Sequence, residues 1–416
     1  MSDQLQNIVI IGASHAGLSC AEKLRSCGYQ GQIVILDRDA GMPLQRPPLS
    51  KTYLKADLSE GEAAFALRKT DWFDTFDINF QPGSAVTSLD RCARQLTLDN
   101  RNTLSYDHLV LATGAKARPL PQQTNEADNL NLLRTATDAR HLRAELTAIQ
   151  PDRLQAVVIG GGYIGLEVAA SLLHFGGTVH VVEMAPRLLA RVASPALSAY
   201  CTDLHHRHGV QLHTNKAVER LTYGPNGRIT SVYLVDGTEL PCHLVLAGIG
   251  ILPDVELAVS AGLQVDDGIV VDTCYTTSDS HISAIGDVAR APSINPFRVE
   301  SVYHAQYSGA VVAASLTGAD LPPREVWWFW SDQYDVKFQM AGLVPPENDM
   351  TASVTRAGRR EGSLSVWSYD AGKLASVEAA NDPQAYMIGK KCLESGQNPA
   401  PADIKNSEFL LKSLLG

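Results

Sequence analysis

Gln155-Ala156-Val157-Val158-Ile159-Gly160-Gly161-Gly162-Tyr163-Ile164-Gly165 is the stretch on which the fold turns. A continuous apolar run meets a complete G-x-G-x-x-G turn. A helical stretch follows to Gly176-Gly177, and Thr178-Val179-His180-Val181-Val182 then ends on Glu183. An unbroken β-branched run is what a strand buried on both faces of a parallel sheet requires. Glycines in the turn let backbone approach a pyrophosphate, and the helix N-terminus behind them supplies partial positive charge. A carboxylate roughly 20 residues on accepts from ribose hydroxyls. A glycine fingerprint alone is weak, but strand, turn, helix, strand and acid in this order predict a dinucleotide-binding βαβ unit. Gly160, Gly162, Ile164, Gly165, Glu183 and, further on, Gly250 are the candidates for NAD. A carboxylate at 183 repels a 2′-phosphate, and neither Met184 nor Ala185 puts a cation beside it, so NADH is expected over NADPH. Arg187 and Arg191 lie further along; Arg191 is kept as a nucleotide contact.

Residues 7 to 37 repeat the pattern with one change. Asn7-Ile8-Val9-Ile10-Ile11 leads into Gly12-Ala13-Ser14-His15-Ala16-Gly17, a helix is expected from Leu18 to Gly28, and Gln32-Ile33-Val34-Ile35-Leu36 ends on Asp37. Ser14 stands where the middle glycine belongs, and a side chain that small is tolerable beside a phosphate. The plain alternative is an ordinary glycine-containing βα turn. Three further strand ends follow: Tyr106 to Ala115 through Ala112-Thr113-Gly114, His243 to Gly250, and His281 to Ala289 through Gly286-Asp287. Each alone suits a structural strand end; together and in this order they are specific.

Composition narrows the class. A chain of 416 residues exceeds one hydrophobic core and divides into domains. No apolar run approaches a membrane span, the first residues carry no basic start, and a cytoplasmic protein without membrane association is expected. The net charge of −10 argues against nucleic acid as a partner. The seven cysteines include no Cys-x-x-Cys pair, so no zinc knuckle or local dithiol centre is encoded, no metal is expected, and the thiols read as small apolar residues.

With these motifs in place the chain resembles the two-dinucleotide-binding flavoprotein reductases of glutathione-reductase-like fold, in which an NAD module is inserted into a discontinuous FAD module. Arg46-Pro47-Pro48-Leu49-Ser50-Lys51, Arg298-Val299-Glu300-Ser301-Val302, Trp328-Phe329-Trp330-Ser331-Asp332-Gln333-Tyr334 and Asn381-Asp382-Pro383 are similar to the NADH-dependent ferredoxin reductases that serve bacterial oxygenases, those of aromatic-ring dioxygenases included. The resemblance implies an α/β fold: an FAD domain at 1–113 and 243–318, an NAD domain at 114–242 and a C-terminal α/β domain at 319–416. It implies FAD and NADH as cofactors and a transient ferredoxin or rubredoxin partner, with the enzyme a monomer or homodimer.

The same resemblance distributes the site residues. Gly12, Ser14, His15, Gly17, Asp37, Thr113, Gly114, Asp287, Glu300, Val302 and Val86 fall on the FAD side, the valines by backbone and shape. Arg46 and Arg134 are further candidates for holding FAD, because a guanidinium fork suits phosphate or a ring carbonyl; each also suits a structural ion pair. Lys51 is implied beside the reactive ring nitrogen, with a surface lysine as the alternative. Glu167 is implied at the nicotinamide side, orienting the ring or pairing with Lys51; favourable placement on the helix dipole is the alternative. Trp330 is implied near the flavin on the ferredoxin-facing side, against the commoner fate of a core aromatic. Lys51, Glu167 and Trp330 are thus the catalytic candidates. Lys390, Lys391, Lys337, Arg290 and Arg298 are candidates for a basic docking patch, or solvated charges. Residues 40 to 56 hold no cysteine, which sets the chain apart from disulfide reductases of this fold. An NADH oxidase or peroxidase, and a redox-sensing protein like apoptosis-inducing factor, remain the alternatives.

Overall fold

The structure, a computed structural model, describes residues 5–59, 61–150 and 153–415. Residues 1–4, on which the reading of the N-terminus as lacking a basic start partly rested, lie outside them. The chain divides into two compact units. One takes the chain up to Gln45, Asp57–Lys116 and Ile251–Arg324; the other takes Arg46–Ala56, Ala117–Gly250 and everything from Glu325.

The first unit is built on a parallel sheet in the order Ile282–Ala284, His108–Leu111, Asn7–Ile11, Gln32–Asp37, Asn79–Pro82. Ile8, Val9 and Ile10 are fully buried at its centre, as a continuous β-branched run in a sheet covered on both faces demands. The first helix spans His15–Ser26. It begins before the expected Leu18, because Ala16 and Gly17 are already wound into its buried first turn.

The second unit repeats this plan: Gln211–Thr214, Thr178–Glu183, Gln155–Ile159, Leu244–Ala247 and Leu130–Asn131, again all parallel. The strand Leu244–Ala247 pairs with Gln155–Ile159, so the chain leaves this unit after Gly250 and not at 243. From Trp328 the chain forms an antiparallel sheet in the order Trp328–Gln333, Val336–Gly342, Lys373–Ala380, Leu364–Asp370, Thr351–Ala357, with the helix Pro383–Ser395 packed on it. The residues beyond 319 do not separate as a third compact unit. Val336, Phe338 and Met340 share one apolar core with Leu166, Val168 and Cys201 of the nucleotide-binding part, and Leu54 joins the same core. Among the described residues no helix is long and apolar enough to cross a membrane.

Candidate active site

The two glycine turns are built alike. Gly12 and Gly160 both have φ +110°, where an L side chain is strained. A Cβ on Gly12 would lie 2.3 Å from the Ala112 carbonyl oxygen, and one on Gly160 2.4 Å from that of Gly248. A Cβ on Gly17 would lie 2.0 Å from the Gly12 oxygen, and one on Gly165 2.1 Å from that of Gly160. The outer glycines are therefore required by the fold itself. The middle position differs. Gly162 has φ −82° and ψ 175°, an ordinary extended conformation, and a Cβ there meets nothing within 4 Å. Ser14 has the same kind of backbone, φ −104° and ψ −163°, so the fold admits a serine at this position. The open space ahead of Gly162, at the start of the helix Tyr163–Leu172, is what a pyrophosphate needs.

Both acids turn back onto their own turns. Asp37 accepts from the Ala13 amide at 2.7 Å and the Asp39 amide at 2.9 Å. Glu183 accepts from the Gly161 amide at 2.6 Å and the Ala185 amide at 2.7 Å. Each carboxylate oxygen has a second lone pair for a ribose hydroxyl. The acids thus brace the turn as well as offering a ribose contact. Met184, beside Glu183, is 76% exposed. Arg187 donates to the carbonyls of Ala193 and Ala190, Arg191 and Ile164 are exposed, and Gly250 has φ +105°.

In the first unit, the hydroxyl of Thr113 donates to the Asp254 carbonyl at 2.8 Å, and Gly114 accepts from the Asp254 amide at 2.9 Å. Asp287 lies in a single 3-10 turn, Gly286–Val288, directly after the strand Ile282–Ala284 and Ile285. A Cβ on Gly286 would approach that of Ala16 to 2.9 Å, so this turn sits against the start of the first helix. His15 opens that helix. Val302 opens the helix Val302–Thr317, and Val86 opens the strand Val86–Asp90. Glu300 pairs with Arg298 at 2.8 Å, and Arg298 also donates to the Asp287 carbonyl.

The second unit collects the other candidates. Pro47–Ser50 is one 3-10 turn, consistent with two prolines at its start, and it carries Arg46 and Lys51 at its two ends. The Arg46 guanidinium donates to the Arg134 carbonyl at 2.5 Å, so these two arginines, 88 residues apart, are neighbours. Lys51 Nζ lies 2.7 Å from Glu167 Oε2, with its side chain 11% exposed and that of Glu167 2%. Lys51 is therefore no surface lysine. Its ammonium also donates to the Pro47 carbonyl at 3.0 Å. The carboxylate of Glu167 further accepts from the hydroxyls of Ser50 at 2.5 Å and Ser331 at 2.6 Å. Burial pushes the Glu167 pKa up, while Lys51 and the two hydroxyls pull against it. This is a desolvated carboxylate held in an ion pair and two hydroxyl hydrogen bonds. Neither serine was marked by the sequence reading, although both lie inside quoted motifs, Ser50 beside Lys51 and Ser331 beside Trp330.

Strand alternation explains the Trp-rich segment. Ser331 and Gln333 are buried, and Phe329 meets Tyr163 edge-on at 4.9 Å. Trp328 and Trp330 take the opposite face, stacked at 5.7 Å and both half-buried, so Trp330 is not a fully buried core residue. The basic patch does not survive as drawn. Arg298 has a side chain only 6% exposed, Arg290 donates to the carbonyls of Asn295 and Pro296, and Lys390 pairs with Glu325 and Glu394. Lys337 and Lys391 are exposed. All seven cysteines are free; Cys20, Cys201, Cys242 and Cys392 are buried, and burial holds the thiols of the first three up to about 12. Cys92, by contrast, is exposed.

The pyridine nucleotide-disulphide oxidoreductase family model matches residues 6–309, and the reductase C-terminal model matches 328–415. The chain is 38% identical to rhodocoxin reductase of Rhodococcus erythropolis, over 98% of this chain and 93% of that one. It is 35% identical to terpredoxin reductase of a Pseudomonas species, over 100% and 99%. A solved structure of a covalent putidaredoxin reductase–putidaredoxin complex superposes with a TM-score of 0.92 at 35% identity, covering 99% of this chain and 98% of that one. Two glycine turns of one construction, each braced by its acid, followed by this C-terminal sheet, are the features the matched regions enclose, and the chain belongs to the pyridine nucleotide-disulphide oxidoreductase family.

Proposed function

We propose that this protein is an FAD-dependent reductase that takes electrons from NADH and passes them to a small iron–sulfur protein, a ferredoxin or rubredoxin, which feeds an oxygenase. The observation that carries this reading is the duplication: two glycine turns with matching close approaches, each strapped by its own acid, provide two dinucleotide cradles in one chain. We assign FAD to the first, with Gly12, Ser14, His15, Gly17, Asp37, Val86, Thr113, Gly114, Asp287, Glu300 and Val302, together with Arg46 and Arg134. NADH is assigned to the second, with Gly160, Gly162, Ile164, Gly165, Glu183, Arg191 and Gly250. Bound FAD supplies the chemistry that takes two electrons as hydride and releases them singly. The protein's part is alignment and charge. Lys51, fixed by Glu167, offers a positive charge where negative charge develops at the cofactor, and Trp330 shapes the contact through which electrons leave. Names of the relatives support the acceptor, since each ties its reductase to a redoxin. We place the protein in the cytoplasm, as a monomer or homodimer.

Anaerobic stopped-flow mixing tests the assignment. NADH is expected to bleach the bound flavin with kcat/KM at least about tenfold above NADPH, because Glu183 repels the 2′-phosphate. Equal efficiency refutes that specificity. Turnover in air is expected to be slow and to rise when a ferredoxin is added; air oxidation as fast as any ferredoxin-driven turnover makes the protein an oxidase. Trp330→Ala is expected to slow electron delivery to the ferredoxin about tenfold, the cost of losing one interface aromatic, while leaving reduction by NADH near wild type.

A further inference from the structure

A row of buried polar side chains runs through the second unit from the Lys51–Glu167 pair toward solvent. Ser331 Oγ donates to Glu167 Oε1 at 2.6 Å, and Gln333 Nε2 donates to Ser331 Oγ at 3.2 Å. His205 Nε2 lies 2.9 Å from Gln333 Oε1, and the Tyr334 hydroxyl lies 3.0 Å from His205 Nδ1. The Tyr334 ring then stacks on the exposed His208 at 3.7 Å. Ser331, Gln333 and His205 are each 1% exposed or less.

Chemistry gives the row a direction. An ionised carboxylate only accepts, so the Ser331 hydrogen is committed to Glu167 and its oxygen is left to accept from Gln333. That turns the amide so that its oxygen faces His205. An amide oxygen carries no hydrogen, so His205 presents Nε2–H and leaves Nδ1 to accept from Tyr334. Burial holds the His205 pKa down to about 4, which keeps the ring neutral at neutral pH. Every donor therefore points inward, from Tyr334 to Glu167. The glutamine amide makes the row a poor proton relay; what it transmits is orientation and polarisation, which adds up along such a row in a low-dielectric interior.

We propose that Gln333 and His205 are positioning residues for Glu167, and that their aligned donors keep this buried carboxylate ionised and seated against Lys51. The inference rests on the reading of the Lys51–Glu167 pair as part of the site that receives hydride. Groups that face Glu167 are Lys51 and Ser50 from the segment before Ala56, Ser331 from the C-terminal sheet and Tyr163 one turn earlier on its own helix. Lys51 is the only cation among them. Burial works against the charged form and Lys51 is the largest pull against it, with the Ser331 hydroxyl, oriented by the Gln333 amide, and the Ser50 hydroxyl adding to that pull.

The test uses the FAD-loaded enzyme. Infrared pH titration follows the carboxyl band that disappears in Glu167→Gln, and stopped-flow reduction by NADH is recorded over the same pH range. Gln333→Leu and His205→Leu are expected to raise the titration midpoint of that band by about one unit, a tenfold gain in proton affinity. The acid limb of the reduction profile should move with it. His205→Gln, which keeps an N–H at similar reach, should return the midpoint toward wild type. An unchanged midpoint in either leucine variant, with only thermal stability lowered, overturns the proposal and leaves the row as mutual hydrogen-bond satisfaction. The pair of His205 variants decides the matter if leucine at 333 prevents folding. Failure of the underlying reading looks different: Glu167→Gln would then be reduced by NADH with the wild-type pH profile, whatever the infrared band does in the other variants.

Discussion

Lys51 is the residue whose environment most changes its meaning. In the sequence it is a cation after two prolines; in the structure its ammonium is, among the described residues, the one positive charge beside a carboxylate that is 2% exposed. Removing one partner of such a pair leaves the other charge buried and uncompensated, which costs more than the pair itself is worth. Lys51→Ala is therefore expected to destabilise the protein by about 3–5 kcal/mol near neutral pH, read as the shift in urea unfolding. The deficit should shrink as pH falls and Glu167 takes up a proton. Adding Glu167→Gln to Lys51→Ala should recover most of it, and no recovery would mean that Lys51 stabilises by its packing and not by its charge.

At the level of the elements, the two strand–turn–helix units obey one geometric rule with different residues. Their outer glycines lie within 2.0–2.4 Å of carbonyl oxygens once a Cβ is added, whereas Gly162 has open space where a Cβ would go and Ser14 shares its extended backbone. Gly162→Ser and Ser14→Gly should thus fold with wild-type melting temperatures. Gly165→Ala should cost about 1–3 kcal/mol or more, since an overpacked contact against rigid backbone cannot be relieved by a rotamer change. Thermal melts of the three variants separate the cases; equal melting of Gly165→Ala and Gly162→Ser would contradict the rule.

Across the whole molecule, the second unit joins a nucleotide-binding sheet to the C-terminal sheet, and Glu378 lies at that joint. It is fully buried on the strand Lys373–Ala380 and accepts from the Ser194 amide at the start of the helix Pro195–Arg207. Burial raises its pKa from 4.5 to about 7. The unfolded chain loses this proton near pH 4.5 and the folded one only near 7, so stability falls as pH rises through that window and the full cost applies above it. The difference corresponds to about 3 kcal/mol. Glu378→Gln should raise stability by up to that amount at pH 8 and change little at pH 4, as judged by urea unfolding at the two values. A variant destabilised at both would show the carboxylate to be a net contributor.

Local order alone determined the two dinucleotide units. Strand runs, glycine turns and terminal acids act through neighbours close in the chain, and Gly12, Gly160, Asp37 and Glu183 lie where that order requires. The helix starts at His15, three residues before the expected Leu18: Ser14 stands at the N-cap, but the sequence reading assigned it, with His15 to Gly17, to the glycine turn. Tertiary structure decided the rest. The pairing of Lys51 with Glu167 was implied only through the family resemblance, as one of two roles for Glu167, and nothing in the chain marked Ser331, 164 residues beyond Glu167, as a donor to it. His205 stands at a helix end beside His206, Arg207 and His208, and nothing in that local sequence sets it apart; it is fully buried and bonded to Gln333 of another segment. Arg298 is buried beside Glu300 and Lys390 is paired with Glu325 from a distant segment, so of the basic patch that a linear reading suggests Lys337 and Lys391 remain as exposed cations. Periodicity and turn chemistry are properties of a segment; burial, ion pairing and proton affinity are properties of what other segments bring to it.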